Sequence, residues 1–430
     1  MNVARAFFSL SSLTLLSRVS GFVRVGIFAA FYGRSIEADI FLAIMIVPEL
    51  LYRFLSEGLI ASAAVPLFVD HRGHPESLKK SLSTVLVVAF WASLALTMFL
   101  IVFAPDFCHM LTPGFSELML SRMHWMWSII ALYIVAGVLS GVITSFLNAC
   151  NIFAAPAVGP LIVNLTIIAG TILNQGGPVE NIVVTVVLGA FLQQLWLTAL
   201  LFYYGYCKSV FELFAGIDLQ IAGVFFRSVF PVAAWISVLP FIPVYERYLL
   251  SMQPSGSVAA LNYIDKLFNL PLGILSISLA QVILPELSQL HGKQRRDFLF
   301  KTVGISALVF MPVILVLHWF AEPIVTFVFQ RGQFSPADSL AAAGLFRSYA
   351  CALLPTTLCL LLNRGFFASR QYLVPFLAGL SAAAVQFWLG RILVAQYGVN
   401  GIGYAAAAAF TVQFVVLLIA ELQQFSPKRS

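Results

Sequence analysis

Charge is what this sequence has least of. Only 10% of its 430 residues are Asp, Glu, Lys or Arg, against 60% hydrophobic, and the mean hydropathy is +0.95. Soluble domains carry roughly a quarter charged residues, so a soluble globular chain is excluded. Alternating strand patterns are missing too, which argues against a barrel and for helices that satisfy their own backbone groups. The five cysteines, Cys108, Cys150, Cys207, Cys351 and Cys359, form no CxxC pair and read as small apolar fillers. The six histidines form no HExxH spacing, so no metal site is expected. With no GxSxG and no Walker motif, the chain is not expected to be an enzyme or to need a cofactor. Any uphill work then falls to an ion gradient or the membrane potential, worth about 2.3 kcal/mol per charge per 100 mV. Basic residues interleaved with aromatics are also absent, so the net charge of +6 is not a nucleic-acid footprint.

What is present is a series of long apolar segments. A helical span needs about 20 mostly apolar residues. About twelve can be placed, near 8–31, 37–68, 81–104, 122–148, 155–173, 181–205, 222–250, 257–288, 299–320, 338–367, 372–394 and 400–424. No small-residue cleavage site closes the first, which is therefore expected to be retained. Pro48 and Pro271 fall inside the second and eighth spans and should kink them. Lys and Arg crowd the segments on one side of the membrane, whereas the other side carries only Arg34, Arg122 and Arg331. The positive-inside rule then puts both termini in the cytoplasm. A weak repeat of about 220 residues relates Asp39 and Pro48 to Asn262 and Pro271, and LNACNIFAAP to LNRGFFASRQYLVP. The expected architecture is an all-α polytopic membrane protein with two six-helix lobes, 1–215 and 216–430, around a central cationic cavity.

The cavity is inferred from cost. Arg18, Arg24, Arg53, Arg247, Lys266, Arg347, Arg364 and Arg391 all fall at membrane depth. Each would cost roughly 2.5–3.5 kcal/mol in contact with lipid. Those near span ends, notably Arg364 and Arg391, can snorkel to the interface. Arg18, Arg24, Arg53 and Lys266 are the harder ones to place, and a shared anion-binding cavity is the leading reading. Asp39, Arg53 and Glu57 share a helix face, with Glu57 placed to neutralise Arg53. Gly21 permits a bend or close packing that could bring Arg18 and Arg24 inward together. Asn262 and Lys266 share a face at i, i+4. Arginine forks and a lysine suit a diphosphate better than a cationic drug.

Several blocks resemble the MurJ/MviN family of lipid II flippases. They are SLTLLSRVSGFVR (Ser12–Arg24), ADIFLAIMIVPELLYRFLSEG (Ala38–Gly58), PLIVNL (Pro160–Leu165), the run Ser255–Ser288, and FQRGQFSPAD (Phe329–Asp338). The resemblance implies a bacterial inner-membrane transporter with alternating access. Its substrate would be lipid II or a similar undecaprenyl-pyrophosphate glycolipid, with membrane lipids and cell-wall synthesis proteins as further partners. It implies that Arg18, Arg24, Asp39, Arg53 and Lys266 bind substrate, with a lysine where the family usually has arginine. Glu57 matches the family's acid-glycine step, and Glu49 stands where asparagine is common; both are candidates for gating or charge pairing, as are Asn262, Glu246 and Arg391. Some members need an acid in span seven and polar groups in spans eleven and twelve to hold sodium. Glu246 fits the first, but the nearby stretch of span twelve is alanine, so sodium is not expected and Arg391 is the candidate built-in cation. Two other functions compete: export of another lipid-linked oligosaccharide or a small molecule, and a non-transporting scaffold, which would need no buried arginines.

Overall fold

The computed structural model describes residues 3–52, 54–55, 60–236, 241–290, 292–369 and 371–424. Among them every regular element is helical. Two compact units form: Met1–Tyr32 with Ile36–Pro240, and Gly33–Ser35 with Phe241–Ser430. Compactness thus divides the chain at Pro240, later than residue 215, because the last helix of the first unit packs on earlier helices of that unit.

The first unit holds α1 (Val3–Tyr32), α2 (Ile36–Tyr52), α3 (Ala61–His71), α4 (Pro75–Val102), α5 (Ala104–Leu111), α6 (Glu117–Ile130), α7 (Leu132–Ala149), α8 (Gly159–Asn174), α9 (Val179–Tyr203) and α10 (Leu219–Ile236). α7 is the hub, packing against α2, α3, α4 and α9. Its small residues allow this. A Cβ built on Gly137 would lie 2.7 Å from the Tyr52 ring of α2, so only glycine lets these helices meet. On another face Phe146 is fully buried, edge-on to Phe68 at 5.3 Å and to Tyr206 at 5.0 Å. Arg122 of α6 is bidentate to two carboxylates, Glu37 of α2 at 2.6 and 2.7 Å and Glu180 of α9 at 2.7 and 2.9 Å. Three helix ends are thereby tied by one planar fork. The linker before α10 is held on α4: Asp218 accepts from the backbone N–H of Gln220 and Ile221, and Lys80 lies 2.7 Å from its carboxylate.

The second unit holds α11 (Phe241–Ser251), α12 (Ser257–Pro271), α13 (Ser278–Gln289), α14 (Gly292–Trp319), α15 (Ala321–Phe329), α16 (Pro336–Ala368), α17 (Leu373–Tyr397) and α18 (Gly401–Gln424). α16 is its axis, started by a capping box in which Ser335 and Asp338 satisfy each other's backbone N–H. Leu299 and Val303 of α14, Leu361, Leu362 and Phe366 of α16, and Leu417 of α18 form a buried cluster with Ile283 and Leu287 of α13. Beside it, Arg295 donates to Glu421 at 2.9 Å and to the Gly365 carbonyl at 3.3 Å. The turn Gly33–Ser35 is part of this unit: Tyr263 donates to the Gly33 carbonyl at 2.7 Å, and Arg34 donates to the Gly256 carbonyl at 3.1 Å.

Eight stretches of the described residues are long and apolar enough to cross a membrane. The last, Leu373–Gln423, contains two of the expected spans. Of the other expected spans, 37–68 holds α2 and α3, 222–250 holds α10 and α11, and 257–288 holds α12 and α13. Pro48 lies inside α2, and Pro271 closes α12 and is followed by a π-helical turn, Leu272–Ile277; Phe54, Leu55 and Ile60 are also π-helical. The repeat reaches further than the sequence suggested. The α4–α5 corner at Phe103 (φ −96°, ψ 18°) and the α14–α15 corner at Phe320 (φ −97°, ψ 17°) have one geometry, and Ser116 and Ser335 cap the helices that follow.

Two stability predictions follow from these ties. Glu421→Ala strands the Arg295 guanidinium in a buried site and should cost about 3 kcal/mol, read as a lowered melting temperature in detergent. Arg295→Met combined with Glu421→Leu should recover most of that loss. The Lys80 ammonium and two backbone N–H groups hold the Asp218 carboxyl below its usual range. A lowered folded value stabilises above the unfolded value and is lost as pH falls through the folded one. The melting-temperature gap between the parent and Asp218→Asn should therefore close on acidification, and should be small because the Lys80 side chain is 64% exposed and its charge is screened.

Candidate functional site

α1 carries the first two predicted cations. Six residues of α-helix separate Arg18 from Arg24, which sets them about 120° apart around the axis. α1 runs as one helix from Val3 to Tyr32, and of the two uses expected of Gly21 close packing is the one seen: it faces Asn164 of α8, and a Cβ there would lie 3.4 Å from the amide nitrogen. Arg18 is exposed, and Arg24 is half-buried.

Arg24 meets α2. Its Nη2 lies 3.7 Å from Glu49 Oε1, with the two side chains 19% and 24% exposed. Pro48, inside α2, immediately precedes this carboxylate. Asp39, nearer the start of α2, is buried at 2% exposure. Arg53, Glu57 and Gly58 lie outside the described residues. The first unit therefore presents one cation with an acid within reach and a second that, among the described residues, has no ion pair.

In the second unit, α12 places Asn262 inward and buried, and Lys266 one turn on and half-buried. Asp265 beside it accepts from Asn269 at 3.0 Å. Glu246 is the centre of a separate buried cluster. Its Oε1 accepts from Tyr349 at 3.1 Å and from Gln386 at 3.0 Å, and Arg247 Nη1 lies 3.9 Å from Oε2. The expectation that Arg391 would stand as a tethered cation near Glu246 is corrected. Arg391 is on the exposed face of α17, and the buried guanidinium at Glu246 is Arg247, which also donates to the Pro243 carbonyl at 3.1 Å.

The remaining deep cations resolve locally. Arg347 of α16 lies 3.6 Å from Glu322 of α15, and Arg364 sits 5.9 Å from the centre of the Phe367 ring. Sequence reasoning had singled out Glu246 as the acid of span seven and Gln386 as a polar group of span eleven; it missed Tyr349 of α16, which reads as an ordinary polar residue in an apolar helix. Asn164 did carry a signal, as the one polar side chain within the PLIVNL block.

Solved structures with this arrangement of helices are membrane transporters. An inward-facing multidrug resistance MATE family transporter of the MOP superfamily superposes with a TM-score of 0.76 over 97% of this chain and 98% of its own, at 12% identity. A structure titled lipid II flippase MurJ, inward closed conformation, superposes with a TM-score of 0.83 at 24% identity, covering 96% of this chain and 87% of that one. The fold is therefore that of a multi-pass transporter. The family model described as lipid II flippase MurJ matches residues 28–428, and the chain belongs to that family. Among relatives, the "Probable lipid II flippase MurJ" of Buchnera aphidicola subsp. Acyrthosiphon pisum is 26% identical over 97% of this chain and 83% of its own length. The lipid II flippase MurJ of Burkholderia cenocepacia is 26% identical over 92% and 77%.

The reassignment of the built-in cation is directly testable. Arg247→Ala leaves Glu246 buried with neutral donors only and should lower stability by about 3 kcal/mol. Arg391→Ala, on an exposed face, should stay within about 0.5 kcal/mol. Melting of the two purified variants separates them.

Proposed function

We propose that this protein moves lipid II, the undecaprenyl-pyrophosphate-linked peptidoglycan precursor, from the cytoplasmic to the periplasmic leaflet of a bacterial inner membrane. Both termini are cytoplasmic, and transport proceeds by alternating access. No bond is made or broken, so the protein is a transporter and not an enzyme. Its driving force is the membrane potential or an ion gradient. Family membership supports the reading, and the observation that carries it is Arg24. A guanidinium kept at membrane depth, with its carboxylate at 3.7 Å rather than at full hydrogen-bonding distance, retains N–H donors for another anion. A diphosphate carries more charge and more acceptor oxygens than one carboxylate. It takes Arg24 from Glu49, and Glu49 reclaims the cation when substrate leaves. Arg18 supplies a second fork. Lys266 and Arg53 supply further charge, and Asp39 and Glu57 balance it. Likeness in fold to multidrug transporters supports a second reading, export of a small molecule or another lipid-linked oligosaccharide.

The test is complementation of cells depleted of their own flippase, with precursor quantified on the outer leaflet. Wild-type protein should restore export, and Arg18→Ala or Arg24→Ala should lower it at least tenfold at unchanged protein levels. Full export by both variants would overturn the reading. Loss of drug efflux without loss of precursor export would establish the second.

A further inference from the structure

The contact between α1 and α8 is polar at one point. Asn164 is 8% exposed and Ser20 is 7% exposed. Asn164 Nδ2 donates to the Ser17 carbonyl at 3.1 Å and to Ser20 Oγ at 2.9 Å, and Ser20 Oγ donates to the same carbonyl at 2.8 Å. Three polar groups thus close a triangle on one backbone oxygen. Gly21 lies against this cluster: a Cβ there would sit 3.4 Å from Asn164 Nδ2, in van der Waals contact. Serine bonded back to the carbonyl three residues earlier loosens the helix ladder locally, so this turn of α1 is held from outside as well as from within.

The Ser17 carbonyl is half of the peptide group that leads into Arg18. Fixing that oxygen fixes the peptide plane, and with it the direction in which the Arg18 side chain leaves the helix. Arg18 is exposed and makes no ion pair among the described residues, so no carboxylate among them orients its charged end. We propose that Asn164 is a positioning residue for transport, acting through Ser17 and Ser20 to present the Arg18 guanidinium to the diphosphate of the substrate. The inference rests on the diphosphate-lipid reading of the site. It assigns a task to the Ser17, Ser20, Gly21 and Asn164 positions, which the charge argument left without one. In a dry interface a lost amide donor is not replaced by water, so the effect of removing it should be measurable.

A double-mutant cycle on the full chain tests this. Affinity for undecaprenyl diphosphate in detergent micelles is measured for the parent, Asn164→Leu, Ser20→Ala and Arg18→Ala, and for each of the first two substitutions combined with Arg18→Ala. Leucine keeps the volume of asparagine and cannot donate. Asn164→Leu should weaken binding about tenfold and Ser20→Ala several-fold. With Arg18 already removed, neither should change binding more than twofold. Equal losses in both backgrounds would mean that Asn164 only supports the fold, and would overturn the proposal. Should Asn164→Leu fail to yield folded protein, the Ser20→Ala arm decides in the same way. Unchanged binding by Arg18→Ala alone would instead overturn the reading of the site, and the proposal with it. Weakened binding by Arg18→Ala together with parental binding by Asn164→Leu would sink the proposal alone.

Discussion

The high cost of a bare charge in hydrocarbon governs where this chain can place its cations. The described residues meet that constraint by local answers rather than one general answer. Arg295 is paired inside the second unit with a fully buried glutamate. Arg122 gathers two carboxylates from different helices. Arg247 lies against Glu246, and Arg24 is left with a carboxylate at a looser distance. These answers differ in how much hydrogen-bonding capacity they leave unused. A short bidentate pair is spent on structure, and a long single contact keeps donors in reserve. That difference sorts structural arginines from the one best suited to receive an anion.

Apolar packing sets the frame in which those pairs sit. In the first unit the small residues of α7 let four neighbours approach, and in the second the long helix α16 gathers a leucine-rich cluster from three others. Polar contacts lie at the margins of these cores: the Arg122 fork beside the start of α2, the Arg295–Glu421 pair beside the leucine cluster, the Asn164 triangle between α1 and α8. Burial supplies cohesion, and the polar ties choose the register of one helix on the next. Register matters here because rotating a helix by one residue turns each side chain about 100°.

Helical class and most of the apolar segments were readable in the sequence, as was the irregular turn after Pro271, because hydropathy and proline act locally. The repeat was visible only as scattered motifs, since its structural content lies in corner geometry at Phe103 and Phe320 that residue identity does not encode. Deep cations could be listed but not paired. Arg391 and Arg247 look alike in sequence, and only the three-dimensional position of α11 and α17 decides which one accompanies Glu246. Gly21 was read as a bend or a packing point, and which of the two it serves was not legible, because the neighbour it meets is more than a hundred residues away. Arg24 and Glu49 were both singled out from adjacent motif blocks, but their pairing was visible only in the structure.

The fork of Arg122 has a mechanical corollary for α2. Its first turn is riveted to α6 and α9 through Glu37 and Glu180, while Pro48 notches its last turns by removing a backbone hydrogen bond. A rod clamped at one tip and notched near the other has a single fulcrum. Torque on it is absorbed beyond the notch and not at the clamp. Glu49 is the first residue past that notch, so its carboxylate can swing away from Arg24 while the riveted corner stays still.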